Sequence, residues 1–211
     1  MSFATVAAVL DWLGIVVFAI SGALVASRKQ LDILGFVLFG TVTGIGGGTL
    51  RDLLLGQTPV FWVREPNYLI VCVAVSAIVF FVAHIPQSRY RLLLWFDALG
   101  LALFAVTSAE RALLAGVSPV VAVAMGVIAS TFGGIIRDIL GNERPVVLSP
   151  EIYVTAALAG AALYVILATL GLSREVALWM GFALGFAVRG MALRKGLSLP
   201  SYRPREGRTS R

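Results

Sequence analysis

Seven runs of largely apolar residues divide this chain, each close to the length of about 20 residues that a helix needs to cross a bilayer. They fall at roughly 4–26, 32–55, 67–85, 92–115, 118–140, 151–170 and 175–193. Charged residues make up only 13% of the 211, against about 25% in a soluble domain, and mean hydropathy is +0.93. Too few polar side chains remain to cover a water-facing surface. A segment in lipid must satisfy its backbone polar groups internally, so the spans are helices. The predicted fold class is an all-α membrane protein with seven transmembrane helices. Its transmembrane domain occupies 1–193, and a basic cytoplasmic tail occupies 194–211.

Loop charge assigns the sides. Arg28, Lys29, Arg89, Arg91, Arg144, Arg194, Lys195, Arg203, Arg205, Arg208 and Arg211 fall after spans one, three and five and in the tail. Arg64, Arg111 and Arg174 fall on the other side. The positive-inside rule then places the C-terminus in the cytoplasm and the N-terminus outside. Met1 to Thr5 holds no Lys or Arg, whereas a cleavable signal peptide opens on a basic region, so the first span reads as retained. The basic tail suits anionic lipid, and its charge shows no aromatic interleaving, which argues against a nucleic-acid partner.

A shift of 86 residues superposes the chain on itself. Asp11 falls on Asp97, Gly14 on Gly100, Phe18 on Phe104, Ser21 on Thr107 and Gly40 on Gly126. Gly47-Gly48 falls on Gly133-Gly134, Arg51-Asp52 on Arg137-Asp138, and Pro59 on Pro145. Matches of Gly, Arg, Asp and Pro carry weight because these types are scarce or positionally constrained in lipid. The two units, about 4–85 and about 90–170, each hold three spans, and the linker near 86–91 is too short to cross the membrane. The second unit is therefore expected upside down relative to the first, an inverted repeat. Span seven, 175–193, stands outside it.

The densest signal is Gly44-Ile45-Gly46-Gly47-Gly48-Thr49-Leu50-Arg51-Asp52 and its counterpart Ser130-Thr131-Phe132-Gly133-Gly134-Ile135-Ile136-Arg137-Asp138. Each glycine weakens a helix by about 1 kcal/mol relative to alanine. Two readings compete: close helix packing, and a helix break beside a binding or permeation path. The symmetric recurrence, each time followed by Arg-Asp, favours the second. A charge deep in the membrane costs about 2.5–3.5 kcal/mol even on insertion scales. Residues adjacent on a helix point about 100° apart, so a crossed pairing is expected, Arg51 with Asp138 or a nearby carbonyl and Arg137 with Asp52. Snorkelling of all four to the headgroups is the competing reading.

Other polar residues admit two readings each. Asp11 and Asp97 either cap helix starts or form a charged vestibule. Ser21, Thr107 and Ser108 either line a wet path or bond back to their own helix. Glu110 is expected to face the same path, Arg111 to reach the outer interface, and Arg189 to snorkel to the cytoplasmic side. Cys72 reads as a small buried hydrophobe, and His84 as an interfacial residue. No catalytic constellation, transition-metal spacing or nucleotide motif is visible, so neither an enzyme nor a cofactor is expected.

The doubled motif Gly47-Gly48-Thr49-Leu50-Arg51-Asp52 and Gly133-Gly134-Ile135-Ile136-Arg137-Asp138, with the flanking Pro59-Val60-Phe61-Trp62, Pro66 and Tyr68, resembles the prokaryotic branch of the trimeric intracellular cation (TRIC) channel family. The likeness spans about residues 5–193. It implies a homotrimer in the plasma or inner membrane of a prokaryote, with a pore in each protomer, conducting K⁺ and Na⁺, and surrounded by membrane lipids. It implies that the second and fifth spans kink at Gly44, Gly46, Gly47, Gly48, Gly133 and Gly134, with Arg51, Asp52, Arg137 and Asp138 at the pore. Carbonyls freed at the kinks, with the nearby hydroxyls of Ser130 and Thr131, would replace part of a cation's hydration shell. The runner-up reading is a secondary transporter of a small solute such as an amino acid.

Overall fold

The computed structural model describes residues 3–84 and 89–200. Linker residues Pro86, Gln87 and Ser88, and tail residues Arg203, Arg205, Arg208 and Arg211, lie outside the described residues. The fold is all-helical. In chain order it has α1 (Phe3–Arg28), α2 (Ile33–Leu54), α3 (Phe61–Arg64), α4 (Asn67–Val82), α5 (Arg89–Leu114), α6 (Pro119–Leu140), α7 (Val154–Thr169) and α8 (Arg174–Lys195), with a 3₁₀ turn at Val146–Leu148. Five of these, α1, α2, α5, α6 and α8, are long and apolar enough to cross a membrane.

The third and sixth expected spans, 67–85 and 151–170, are shorter than predicted. Helices α4 and α7 have 16 residues each, about 24 Å of rise against a hydrocarbon core of about 30 Å. Helix α4 starts where expected, at Asn67, and gives way to a turn at 83–84, while α7 starts at Val154 rather than at 151. Phe61–Arg64 forms a separate turn of helix before Pro66, and Val146–Leu148 forms a 3₁₀ turn after Pro145.

Local chemistry explains the helix ends. Asp32 caps α2 by accepting the Gly35 amide at 2.8 Å. Pro119 opens α6, where its missing N–H costs nothing. The helices close on left-handed residues, and these repeat at the same offset as the motifs. Gln30 (φ 57°) corresponds to Gly116 (φ 82°), and Gly56 (φ 67°) corresponds to Asn142 (φ 50°). The amides repeat too: Gln57 donates to Asp52 O at 2.8 Å, and Glu143 donates to Asp138 O at 2.8 Å. The repeat thus persists in backbone conformation where residue types differ.

The two halves meet reciprocally at two crossings. At the first, the missing side chain of Gly14 leaves room for the Phe104 ring, and that of Gly100 leaves room for Phe18. The two rings lie 5.3 Å apart. At the second, Gly47 sits against the carbonyl of Ala129, and Gly133 against the carbonyl of Thr43. Each contact is its partner's image under the 86-residue shift. Asp11 in the early turns of α1 pairs with Arg111 near the end of α5. Arg28 at the end of α1 lies over the ring of Tyr90 at the start of α5, 4.8 Å from its centroid. Helices α1 and α5 therefore run antiparallel.

The helix breaks expected at the glycine clusters are not there. Helices α2 and α6 continue unbroken through Gly44–Gly48 and Gly133–Gly134. The helical cost of glycine is offset by the approach it permits, because a Cβ at Gly47 or Gly133 would collide with the facing backbone. Cys72 is buried and fills the space facing Gly44, and His84 is exposed at the end of α4.

Candidate functional site

Charged residues inside the bundle collect into two arginine-centred clusters. All four residues of the doubled motif are buried, with Arg51 and Arg137 each 1% exposed, so the arginines do not snorkel. The crossed pairing is also absent. Arg51 turns back onto its own neighbour, donating from Nε at 2.9 Å and Nη2 at 2.7 Å to Asp52 Oδ1. Arg137 donates from Nε to Asp138 Oδ1 at 2.9 Å. The 100° argument treats side chains as short spokes. The arginine stem is long enough to curl around the helix and reach the adjacent carboxylate.

The second carboxylate oxygen explains why aspartate sits at these positions. Asp52 Oδ2 accepts the Phe61 amide at 2.8 Å, and Asp138 Oδ2 accepts the Val146 amide at 3.1 Å. Each Arg-Asp pair ties the end of its long helix to the loop that follows. These loops leave the membrane-spanning helices with free amides, and a carboxylate is a strong acceptor for them.

The arginines also reach across to the other half. Arg51 Nη1 donates to Ser108 Oγ at 3.3 Å. Arg137 Nη1 donates to Ser21 Oγ at 2.5 Å and to Asp97 Oδ1 at 2.6 Å. Ser21 and Ser108 therefore hold arginines rather than bonding back to their helices, whereas Thr107, the repeat counterpart of Ser21, is buried with no hydrogen-bond partner. Ser130 and Thr131 do bond back, to the Val127 carbonyl at 3.0 and 2.9 Å.

Asp11 and Asp97 are not caps. Both lie within helices, 2% and 0% exposed. Asp11 Oδ2 accepts from Arg111 Nη2 at 2.7 Å and from the Tyr68 hydroxyl at 3.3 Å. Arg111 thus turns inward, although its side chain keeps 33% exposure. Glu110 pairs with Arg174 of α8 at 2.7 Å. Arg189, expected to snorkel, is buried. It contacts Glu151 at 2.8 Å, donates to the Ile152 carbonyl at 3.2 Å, and lies 5.1 Å from the centroid of the Tyr153 ring.

The clusters differ in their pairing. The first sets Arg51 and Arg111 against Asp11 and Asp52. In the second, Arg137 contacts both Asp97 and Asp138, and Arg189 stands at the Tyr153 ring. In the second, Asp97 Oδ2 and the Tyr153 hydroxyl are buried without a hydrogen-bond partner. A side chain at Gly134 would point among these groups, 3.1 Å from the Tyr153 hydroxyl and 3.4 Å from both Arg137 Nη2 and Asp97 Oδ1. Gly134 thus lets these polar groups pack closely against α6. The other expected site glycines divide among different surroundings. Gly48 accommodates the Phe61 ring, and Gly46 faces a mostly apolar groove shared with Trp62, Phe132 and Ile136.

Tyr68, Tyr153 and Phe61 were not singled out as polar-site residues by sequence reasoning. Tyr68 and Tyr153 are 85 apart, one short of the motif offset, so a gapless self-comparison loses them after Pro145.

The pairing of Arg111 with Asp11 carries a direct prediction. Arg111→Gln leaves Asp11 with the Tyr68 hydroxyl alone and is expected to cost about 1.5–3 kcal/mol, the range for a hydrogen bond to a charged group. Asp11→Asn in the same chain is expected to recover part of that loss. A double-mutant cycle read by denaturant unfolding in detergent tests it, and additive effects would contradict the pairing.

Comparison with known proteins matches this architecture throughout. The family model described as "Glycine transporter" matches residues 8–84 and 94–169, one segment in each half. A UPF0126 membrane protein of Vibrio cholerae is 41% identical over 197 residues, covering 92% of this chain and 81% of that protein. The UPF0126 inner membrane protein YadS of Escherichia coli is 39% identical over 198 residues, covering 92% and 94%. Among solved structures, the TRIC trimeric intracellular cation channel orthologue from Rhodobacter sphaeroides is 62% identical with a TM-score of 0.90, covering 92% of this chain and all of that one. A prokaryotic TRIC channel solved in 0.5 M KCl is 35% identical with a TM-score of 0.87, covering 93% and 100%. With five long apolar helices and these relatives, the chain is a multi-pass cell membrane protein, and it belongs to the prokaryotic branch of the TRIC channel family.

Proposed function

We propose that the chain is a monovalent cation channel for K⁺ and Na⁺, assembled as a homotrimer with a separate path through each protomer beside α2 and α6. The observation that carries this reading is the full-length likeness to the Rhodobacter sphaeroides channel, at 62% identity and a TM-score of 0.90. The protein is a non-enzymatic channel.

The second cluster supports the cation preference. Asp97 and Asp138 share the guanidinium of Arg137 in a buried setting, where charge acts strongly. Asp97 Oδ2 and the Tyr153 hydroxyl, both without hydrogen-bond partners, are oxygen ligands of the kind that replace a cation's hydration shell. The polar groups packed at Gly134 are the proposed contact point. Ser21, Thr107, Ser108, Arg51, Asp52, Arg137 and Asp138 border the path, and Asp11 and Asp97 supply its charge. The arginines are neutralised by their pairs, which removes the repulsion that free guanidinium groups would exert on a passing cation. The reciprocal crossings and the antiparallel run of α1 and α5 support seven spans, with two inverted three-helix units at about 4–85 and 90–170 and a helix outside the repeat. The basic ends at Arg28, Lys29, Arg91 and Arg194 support a cytoplasmic C-terminus and an external N-terminus.

Planar-bilayer recording of the purified protein tests the reading. Discrete unitary currents in KCl and NaCl are expected. Gly134→Ala, whose methyl group would press on the Tyr153 hydroxyl at 3.1 Å, is expected to lower unitary conductance while leaving the trimer intact. An unchanged conductance would remove these groups from the path. A carrier is the second reading, favoured by the description of the matching family model. Saturable glycine uptake without unitary currents would replace the channel by it.

A further inference from the structure

Helix α8 falls outside both segments that the family model matches, yet it carries the side chain that holds Tyr153. Arg189 is 1% exposed and grips three successive residues before α7. Its guanidinium lies 2.8 Å from Glu151 Oε2, donates to the Ile152 carbonyl at 3.2 Å, and stands 5.1 Å from the centroid of the Tyr153 ring. Glu151 is held in turn by the residues that follow α8. Gly196 (φ 63°) ends the helix in a left-handed turn. The Leu199 amide then donates to the Pro150 carbonyl at 2.6 Å, and Ser198 pairs with Glu151 as an isolated antiparallel bridge. Residues 197–199 thus form a short strap on the segment that leads into Tyr153. Backbone bonds rather than packing fix the strap, since Leu197 and Leu199 are 42% and 47% exposed. A cavity of about 240 Å³ beside it is bordered by Glu151, Leu193, Leu197 and Ser198.

The matching tyrosine of the first half is fixed in another way. Tyr68 donates its hydroxyl to Asp11 at 3.3 Å and stacks on Trp12 at 3.9 Å. Pro66 and Asn67 stand where Glu151 and Ile152 stand in the second half, so that half offers no carboxylate for such a grip. The Tyr153 hydroxyl has no hydrogen-bond partner, which leaves the ring as the part that is held. We propose that Arg189 is a positioning residue that sets Tyr153 against the second cluster, and that the strap 197–199 locks it there through Glu151. A buried guanidinium does not readily give up its carboxylate, so Glu151 and Arg189 move together. The chain end of α8 thereby controls where the Tyr153 hydroxyl stands beside Gly134 and Asp97. The positioning is independent of conduction, and its effect on the path rests on the channel reading.

Fluorine NMR separates the two. The full chain is labelled with 3-fluorotyrosine, and Tyr153→Phe identifies the Tyr153 resonance among the five tyrosines. Leu199→Pro deletes the amide that binds Pro150, whereas Leu199→Ala keeps it. Leu199→Pro and Glu151→Gln are each expected to shift the Tyr153 resonance and leave that of Tyr68 in place. Arg189→Gln is expected to shift it furthest, and Arg189→Lys, which keeps a cation, to restore part of the change. Leu199→Ala is expected to leave it at the wild-type position. A Tyr153 resonance unmoved by both Leu199→Pro and Glu151→Gln would overturn the proposal, as would an equal shift with Leu199→Ala. In planar bilayers Leu199→Pro is expected to lower unitary conductance and Leu199→Ala to preserve it. A shifted resonance with unchanged conductance would remove the strap's control of the path. A wild type without unitary currents would reject the channel reading, and the fluorine result would still decide whether the strap positions Tyr153.

Discussion

Replacing Arg137 with leucine is expected to destabilise the protein by about 3–5 kcal/mol, the cost of removing one partner from a buried ionic set. The guanidinium is fully buried, and it contacts Asp97 Oδ1 at 2.6 Å and Asp138 Oδ1 at 2.8 Å. Without it Asp97 and Asp138 lose the guanidinium that both of them contact. Ser21 and the Tyr153 hydroxyl cannot neutralise them. Arg51→Leu is expected to cost less, because Arg111 remains beside the first cluster and Asp11 already pairs with it at 2.7 Å. Denaturant titration of both variants in detergent measures the difference. Equal losses would refute the difference in pairing between the two clusters. Adding Asp97→Asn to Arg137→Leu removes one of the stranded charges, so the double variant is expected to be more stable than the single one.

Valine at Gly47 or Gly133 is the second large effect. Both glycines lie in the contact between α2 and α6, and the obstacle each new side chain meets is a carbonyl, of Ala129 and Thr43 respectively. A side chain can rotate away from such a clash, but backbone in a helix can yield only by moving the helix. Overpacking in a core costs about 1–3 kcal/mol, and these two sites are expected at the upper end, with the pair together exceeding either alone. Gly46→Ala is the control. Its nearest obstacle is Ile136 Cδ1 at 3.2 Å, the tip of a flexible side chain. The gain in helix propensity of about 0.5–1 kcal/mol is expected to offset that contact. Loss of stability in Gly46→Ala equal to that in Gly47→Val would mean that the glycines act through helix flexibility rather than through the crossing.

These expectations rest on how much of the site could be read before folding. The repeat of Gly, Arg, Asp and Pro at one offset located both clusters. The structure adds matched crossings at the same offset, Gly14 with Phe104 and Gly47 with Ala129. What it misjudged was direction. A sequence places Arg51 and Asp52 on neighbouring spokes of a helix, but it cannot say that the stem of Arg51 curls back or that Asp52 is already turned toward the Phe61 amide. The same limit hid Arg189, whose position near a helix end suggested headgroups. Tyr153 and Glu151, brought in from before α7, instead hold it inside.

The apolar runs and the scarcity of charge determined a helical membrane protein without help from tertiary structure, because lipid admits few other ways to satisfy a backbone. The offset of 86 determined that the chain is built twice. The tertiary structure alone decided what the glycines do. Helix propensity is local and argues for a break at Gly46-Gly47-Gly48. The close approach of α2 and α6 is a property of two segments far apart in sequence, and it outweighs the local preference by keeping both helices continuous. It decided the charge pairing for the same reason. Which carboxylate an arginine meets depends on the path of its own side chain and on the loops and helices packed around it, and that distance is set only when the two halves meet.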